Sequence, residues 1–328
     1  MIDPTILGYF RDKDCLITGG TGLIGRQVVD ILCNAGARTT IVSLDRVEVD
    51  PRANHIFGDL TSLDFCKEMI KNRDVVFHLA GVKGSMEVSK TMLASHFVPT
   101  LMMNTNMLEA CRVNGVKKVV YTSSIGAYAD ADVFVEEPLG TYSGPPLDFA
   151  GWAKRMGELQ VYAYKTQYQL ENFAIVRPSA TYGPGDNFDP KSAMVVPSLI
   201  AQIHQGKPLE VWGDGSAIRD IAFSRDIAEG IVLGCYHGTD GYVNLGSGKG
   251  VTVRELIETL ASFLDFKYTF DPSKPSGQGK KLLDITKARK LLNYEPATTL
   301  REGLEATWNW YIAHLDEHTR KQNYFTKN

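Results

Sequence analysis

The sequence predicts an α/β protein, a doubly wound parallel sheet with a smaller mixed α/β C-terminal lobe, on three observations. The first is the stretch Thr18-Gly19-Gly20-Thr21-Gly22-Leu23-Ile24-Gly25. It follows the apolar run Cys15-Leu16-Ile17 and opens a segment with Ile24, Val28, Val29 and Leu32 at helical spacing, which stops at Gly36. The second is Val75-Val76-Phe77-His78-Leu79-Ala80-Gly81, a continuous apolar run of the kind a parallel strand buried on both faces shows. The third is the alternation of strand-like and helix-like segments as far as residue 178, where the chain turns rich in glycine and proline. At 328 residues the chain has room for two lobes. The first is expected over residues 1–178, taking in about 219–247 as well, and the second over 179–218 and 248–328.

In chain order, the opening stretch reads as strand, glycine turn, helix. One glycine permits the tight turn, one lets backbone N–H groups approach a pyrophosphate, and Gly25 lets helix and strand pack closely. The helix N-terminus, carrying roughly +0.5 charge, faces the phosphates. Gly19, Thr21, Gly22, Leu23, Ile24 and Gly25 are therefore the expected dinucleotide cradle. A second strand, Thr39-Thr40-Ile41-Val42-Ser43-Leu44, ends at Asp45, about 20 residues on, the spacing such a cradle calls for. A carboxylate there takes both ribose hydroxyls and repels a 2′-phosphate, which favours NAD over NADP, while Arg46 next door pulls the other way.

The next strand end, Phe57-Gly58-Asp59-Leu60, offers Asp59 and Leu60 to the adenine. Leu79, Ala80 and Gly81 are small enough at the end of their run for the second phosphate and ribose to lie against backbone. His78, inside that run, reads as a packed core residue. Residues 82–94 are expected as a loop with Gly84 and two lysines, followed by a helix over 102–113 that ends near Gly115. Lys118-Val119-Val120-Tyr121-Thr122-Ser123 makes the next strand, and a helix over about 151–168 carries Lys154 and Glu158. Phe173-Ala174-Ile175-Val176-Arg177-Pro178 closes the series. Helices are expected beyond it near 194–205, 225–235, 252–264 and 300–316, the last two with core-facing spacing.

The bulk numbers exclude some classes. With 35 Lys+Arg against 38 Asp+Glu the net charge is −3, which points to neither nucleic acid nor an anionic membrane. The N-terminus lacks a secretory pattern and no apolar run is long enough to span a bilayer, so a cytoplasmic location is expected. The five cysteines are scattered, mostly inside apolar segments, and read as reduced core thiols. His314 and His318, four apart, lack a third ligand and read as a solvated face; no metal is expected.

With these residues placed, the sequence resembles the extended short-chain dehydrogenase/reductases that modify nucleotide sugars, the NAD-dependent epimerase/dehydratase family. The likeness runs from residue 18 to about 310. It rests on the glycine stretch, Asp59-Leu60, His78-Leu79-Ala80-Gly81, Tyr121-Thr122-Ser123-Ser124, Arg177-Pro178, Tyr182-Gly183-Pro184, Gly213-Asp214-Gly215 with Arg219-Asp220, Asn244-Leu245-Gly246, and Asp284 leading to Leu291-Leu292. Within the family, residues 182–188 and Val195-Val196-Pro197 look most like the GDP-fucose synthases.

The resemblance implies a Rossmann fold, a catalytic Ser or Thr, and a Tyr four residues before a Lys. The hydroxyl holds the sugar oxygen, the tyrosinate moves its proton, and the ammonium lowers the tyrosine's pKa while binding the nicotinamide ribose. Ser124 and Lys154 match this pattern, and Ala150 occupies the tyrosine position. A methyl group carries no proton, so Tyr142, Tyr128, Glu136, Glu137 or a water is left to stand in. Ile125 and Gly126 fill the acidic pair of the dehydratases, and Gly126 and Met194 fill the epimerising Cys and His of the fucose synthases. What survives is hydride transfer at the sugar's 4-position, on a GDP-sugar in preference to a UDP-sugar. The alternative is a catalytically impaired family member, either an engineered Tyr-to-Ala variant or a dinucleotide-responsive binding protein.

By the same resemblance Pro178 belongs to the cofactor site, and Ser124, Asn187 and Val195 line the sugar-nucleotide pocket. Arg219 is the expected partner of the diphosphate, because guanidinium binds phosphate oxygens bidentately, and Lys281 adds charge. Phe188 and Trp212 are open between stacking on the base and core packing. A homodimer through the helices near 97–113 and 152–168 is implied as well.

Overall fold

The computed structural model describes residues 2–189, 192–274 and 279–317. The chain opens with a short helix that the sequence reading lacks, α1 (Pro4–Phe10), whose cap is Asp3 accepting from the Thr5 amide at 2.7 Å. The first lobe then runs β1 (Asp14–Thr18), α2 (Gly25–Asn34), β2 (Arg38–Ser43), β3 (Asn54–Phe57), α3 (Leu63–Ile70), β4 (Val75–His78), α4 (Met86–Thr91), α5 (Leu93–Val113) and β5 (Lys118–Thr122). After a short 3-10 turn at Ile125–Ala127 come β6 (Val133–Phe134), α6 (Phe149–Tyr168) and β7 (Phe173–Pro178). The remainder is β8 (Ala180–Tyr182), α7 (Val195–His204), β9 (Leu209–Trp212), β10 (Ile218–Arg219), β11 (Ile221–Phe223), α8 (Ser224–His237) and β12 (Tyr242–Leu245). It ends with β13 (Val251–Thr252), α9 (Val253–Ala261), β14 (Tyr268–Asp271), β15 (Lys280–Leu283), α10 (Thr286–Leu292) and α11 (Leu300–Ala313).

Seven strands form one parallel sheet in the order β12-β7-β5-β4-β1-β2-β3. The strand order reverses between β1 and β4, and at such a switch point a crevice opens at the carboxyl ends of the strands. Strands β4, β7 and β12 are buried at every residue, which is why β4 and most of β7 read as apolar runs. α8 and β12 return to this sheet after the chain has left it, and their side chains, with Leu283, Ile285, Ala288, Leu292 and Tyr294, join the first core. A second core gathers Tyr182, Phe188, Val196, Ile200, Leu209, Leu256, Ile257, Leu304 and Tyr311.

Two further elements differ from expectation. The stretch 82–94 holds α4, and α5 begins at Leu93 rather than near 102, so Pro99 lies inside it. A proline there removes the bond to the Ser95 carbonyl and argues for a break. Packing overrides it: His96, Thr100, Met103 and Asn104 are buried in succession along one side, and Phe97 meets the Phe149 ring edge-on at 5.8 Å.

Candidate active site

A cavity of about 540 Å³ lies along the carboxyl edge of the sheet and reaches the second lobe. Gly19, Thr21, Gly22, Leu23, Ile24 and Gly25 line it from the first turn, Asp45 and Leu60 from the next two strand ends, and Leu79, Ala80 and Gly81 from the fourth. Gly19 has φ +69, and a Cβ on it would stand 2.9 Å from the Ala80 Cα. At Gly25 a Cβ would stand 2.1 Å from the Gly19 carbonyl oxygen, so the helix enters tight against the turn. Among the described residues no side chain caps the N-terminus of α2, and the residues that start it face the cavity. A helix start opening on a cavity, with its dipole directed there, fits the phosphates of a dinucleotide. Beside them Thr21 Oγ1 donates to Asp45 Oδ2 at 2.8 Å, fixing the carboxylate where β2 ends.

Arg46 and Asp59 do not line the cavity. The Arg46 guanidinium lies 4.9 Å from the Phe57 ring centroid over a separate hollow, and Asp59 closes a local turn by accepting from the Thr61 amide at 2.9 Å.

Ser124, Ala150, Lys154 and Pro178 all line the cavity. Ala150 sits in the first turn of α6, and Lys154, four residues on, shares its face. Lys154 Nζ donates to the Thr122 carbonyl at 2.8 Å, and a Cβ on Gly81 would come within 3.3 Å of Nζ. Burial pushes the Lys154 ammonium down to about 8, against the opposing pull of Glu158. Ser124 Oγ accepts from the Gly126 amide at 3.1 Å. Tyr142, Tyr128, Glu136 and Glu137 stand off the cavity. Tyr128 donates to Asn244 Oδ1 at 2.8 Å, Glu136 accepts from the Asn244 amide at 2.8 Å, and the Tyr142 ring lies under the Arg155 guanidinium at 4.4 Å.

On the second-lobe side Asn187 and Val195 line the cavity, with Met194 beside them. Asn187 donates to Ser192 Oγ at 2.9 Å and accepts from the Asp189 amide at 3.0 Å. Lys83, on the cavity rim, donates to Asp186 Oδ1 at 2.8 Å and ties the two lobes together across the mouth. Arg219 and Lys281 lie on adjacent strands, β10 and β15, outside the cavity wall. Arg219 is half-buried and donates to the Ile218 carbonyl at 2.8 Å, whereas Lys281 is paired with Asp130. Phe188 is core, 4.5 Å from the Tyr311 ring, and Trp212 is exposed beneath the Lys274 ammonium. His314 stacks on Trp310 at 4.6 Å, and His318 lies outside the described residues.

Some residues that build the site escape sequence reasoning. Glu158 and Arg177 form a fully buried, bidentate pair at 2.7 and 2.6 Å, and Ser123 Oγ donates to the same carboxylate at 2.5 Å. His78 is core, as its setting implies: Nδ1 meets Thr18 Oγ1 at 2.8 Å and Nε2 meets Asn104 Oδ1 at 3.0 Å, while burial pushes its pKa down to about 3. His96 and Asp148 also line the cavity, and no spacing in the sequence connects them.

A glycine cradle at the switch point of a parallel sheet, with a serine and a lysine at the carboxyl edge of the next strands, defines an extended short-chain dehydrogenase/reductase. Residues 15–246 match the NAD dependent epimerase/dehydratase family, and the chain belongs to it. GDP-L-fucose synthase 1 of Arabidopsis thaliana is 31% identical, over 93% of this chain and 95% of its own. UDP-glucuronate 4-epimerase of Thermodesulfobacterium geofontis is 29% identical, over 93% and 96%. Among solved structures, the UDP-glucose 4-epimerase of Thermotoga maritima with UDP-glucose has a TM-score of 0.80 at 26% identity, over 92% of this chain and 99% of its own. The family is one of nucleotide-sugar epimerases and reductases.

Proposed function

We propose that the protein is an NAD-dependent oxidoreductase or 4-epimerase of a nucleotide-linked sugar, a GDP-sugar in preference to a UDP-sugar. The observation that carries this reading is that Ser124 and Lys154 open on the same cavity as the glycine turn, with Asn187 and Val195 on its second-lobe side. NAD, held along Gly19 to Gly25, Asp45, Leu60, Leu79 to Gly81 and Pro178, supplies a hydride acceptor and donor. The Ser124 hydroxyl holds the sugar oxygen, and the Lys154 ammonium binds the ribose and makes the site positive. By the family likeness Arg219 is the proposed partner of the diphosphate, from a place outside the cavity wall.

The test is direct. Protein charged with NAD and offered UDP-glucose and GDP-mannose, with their 4-epimers, is expected to give NADH absorbance or isomerised sugar. Neither signal abandons the reading. Ala150 favours a second one, a family member without turnover that binds dinucleotide; in that case Ala150→Tyr is what creates measurable turnover.

Asp45 supports NAD over NADP, since a fixed carboxylate repels a 2′-phosphate. NAD is expected to raise the melting temperature more than NADP at equal concentration; a ligand at 100 times its dissociation constant adds about 2.7 kcal/mol. Asp45→Ala is expected to narrow that gap, and an equal response of the unsubstituted protein to both dinucleotides removes the preference. A homodimer through α5 and α6 is supported by the apolar residues exposed along them, Val98, Met102 and Val113 on one and Phe149, Trp152, Tyr162 and Tyr168 on the other. Light scattering is expected to give twice the chain mass.

A further inference from the structure

We propose that Arg26 is a positioning residue that fastens the dinucleotide cradle to the second lobe, so that the last helix, outside the cavity, helps to set cofactor affinity. This rests on the dinucleotide site proposed for the cavity. Arg26 is the second residue of α2, directly after Gly25. Its side chain turns back on the cradle, where Nη2 donates to the Thr21 carbonyl at 3.1 Å. The hydroxyl of the same threonine donates to Asp45 at 2.8 Å. Thr21 thus joins the guanidinium to the carboxylate expected at the ribose.

The remaining partners of Arg26 belong to the second lobe. Nη2 pairs with Glu317 Oε1 at 2.5 Å, and the two side chains are 10% and 14% exposed. The guanidinium carbon lies 5.0 Å from the Trp310 ring centroid, and Trp310 in turn stacks on Phe188, a core residue of that lobe, at 6.1 Å. The loop after β8 passes the guanidinium at Gly185, with φ +79, where a Cβ would stand 2.0 Å from Arg26 Nε. A side chain there would expel the guanidinium. The next residue, Asp186, takes the Lys83 ammonium at 2.8 Å, so this one loop meets the first lobe at two points. Arg26, Gly185, Trp310 and Glu317 all stand off the cavity. A cation in the first turn of a helix opposes the macrodipole, and one so nearly buried needs partners. The second lobe supplies them, and the charge-assisted bond they orient holds the cradle at Thr21. Such coupling is reciprocal: if docking of the second lobe steadies the cradle for NAD, bound NAD steadies α11.

Titration with NAD, which needs no turnover, tests this in three proteins: unsubstituted, Arg26→Met and Arg26→Lys. Arg26→Met is expected to weaken NAD about tenfold, within the usual range for coupled sites. Arg26→Lys keeps a cation for Glu317 but loses the planar fork that lies on Trp310 while reaching Thr21, and is expected to recover part of the loss. Amide exchange is the second readout. With NAD at about 100 times each protein's own dissociation constant, the ligand's overall stabilisation is equal in all three. Under that condition NAD is expected to slow exchange in α11 more in the unsubstituted protein than in Arg26→Met. A role in stability alone lowers the melting temperature and moves neither readout. An unchanged dissociation constant in Arg26→Met, or in Arg26→Lys should the first fail to fold, overturns the inference, and so does equal slowing in α11. If the unsubstituted protein binds neither NAD nor NADP, the proposed dinucleotide site is removed and this inference with it.

Discussion

Lys154→Met is expected to lower turnover by about 10²–10⁴, the usual worth of an acid/base or charge-tuning group, without unfolding the protein. The reason is that the ammonium is held where it is uncomfortable. Burial depresses its pKa from 10.5 to about 8, a shift worth roughly 3 kcal/mol against the charged form. Removing the charge returns that energy, while the Thr122 carbonyl loses its donor, at a cost of about 1–3 kcal/mol. The two nearly cancel, so the melting temperature is expected to move little while kcat/KM collapses. The pH profile follows with its sign: the charged form is present below about 8 and lost above it. Turnover that needs the ammonium therefore declines as pH rises through that value. A profile flat to pH 10, or a Lys154→Met variant as active as its parent, removes Lys154 from the machinery.

Glu158→Ala has the opposite character, a large loss of stability. Its carboxylate takes two guanidinium bonds from Arg177 and one from Ser123, and both ion-pair side chains are wholly buried. Removing one partner of such a pair costs about 3–5 kcal/mol, because an unpaired charge stays behind. Among the described residues Arg177 Nη1 already has no hydrogen-bond partner, and it relies on the rings of Tyr128 and Tyr242, at 4.0 and 3.6 Å from the guanidinium carbon. For a chain of this size the melting temperature is expected to fall by roughly 4–7 °C. Replacing both partners, Glu158→Leu with Arg177→Met, is expected to cost much less. Urea midpoints for the two variants check this, and equal losses in both would assign the stability to side-chain volume rather than to charge.

Most of the sheet was legible because buried parallel strands declare themselves as short apolar runs, as Val75 to His78 and Phe173 to Pro178 do. The cradle was legible because its glycines stand between a strand and a helix, and Gly22 and Gly25 answer to Gly19 within the same turn, whereas the Ala80 backbone that Gly19 must admit comes from a distant strand. The full length of α5 was not, since Pro99 is a local signal for a break and the packing that overrides it comes from distant residues. The Glu158–Arg177 pair joins a helix to a strand 19 residues on, and nothing local links two such charges. Lys281, expected at the substrate, is spent on Asp130, 151 positions away. His96 and Asp148 lie on different elements, each unremarkable by itself, and only the folded chain sets them on one wall.

The seventh strand of the sheet has a consequence for synthesis. Tyr242 to Leu245 complete the edge at Ile175 to Pro178 only after the first strands of the second lobe have been made. A nascent chain halted before residue 242 presents Phe173 to Pro178, six core residues, as an open row of unpaired amides and carbonyls. Cutting at residue 178 therefore yields a sticky half-molecule rather than a free-standing nucleotide module, and chaperone dependence on the ribosome should peak between the emergence of these two strands.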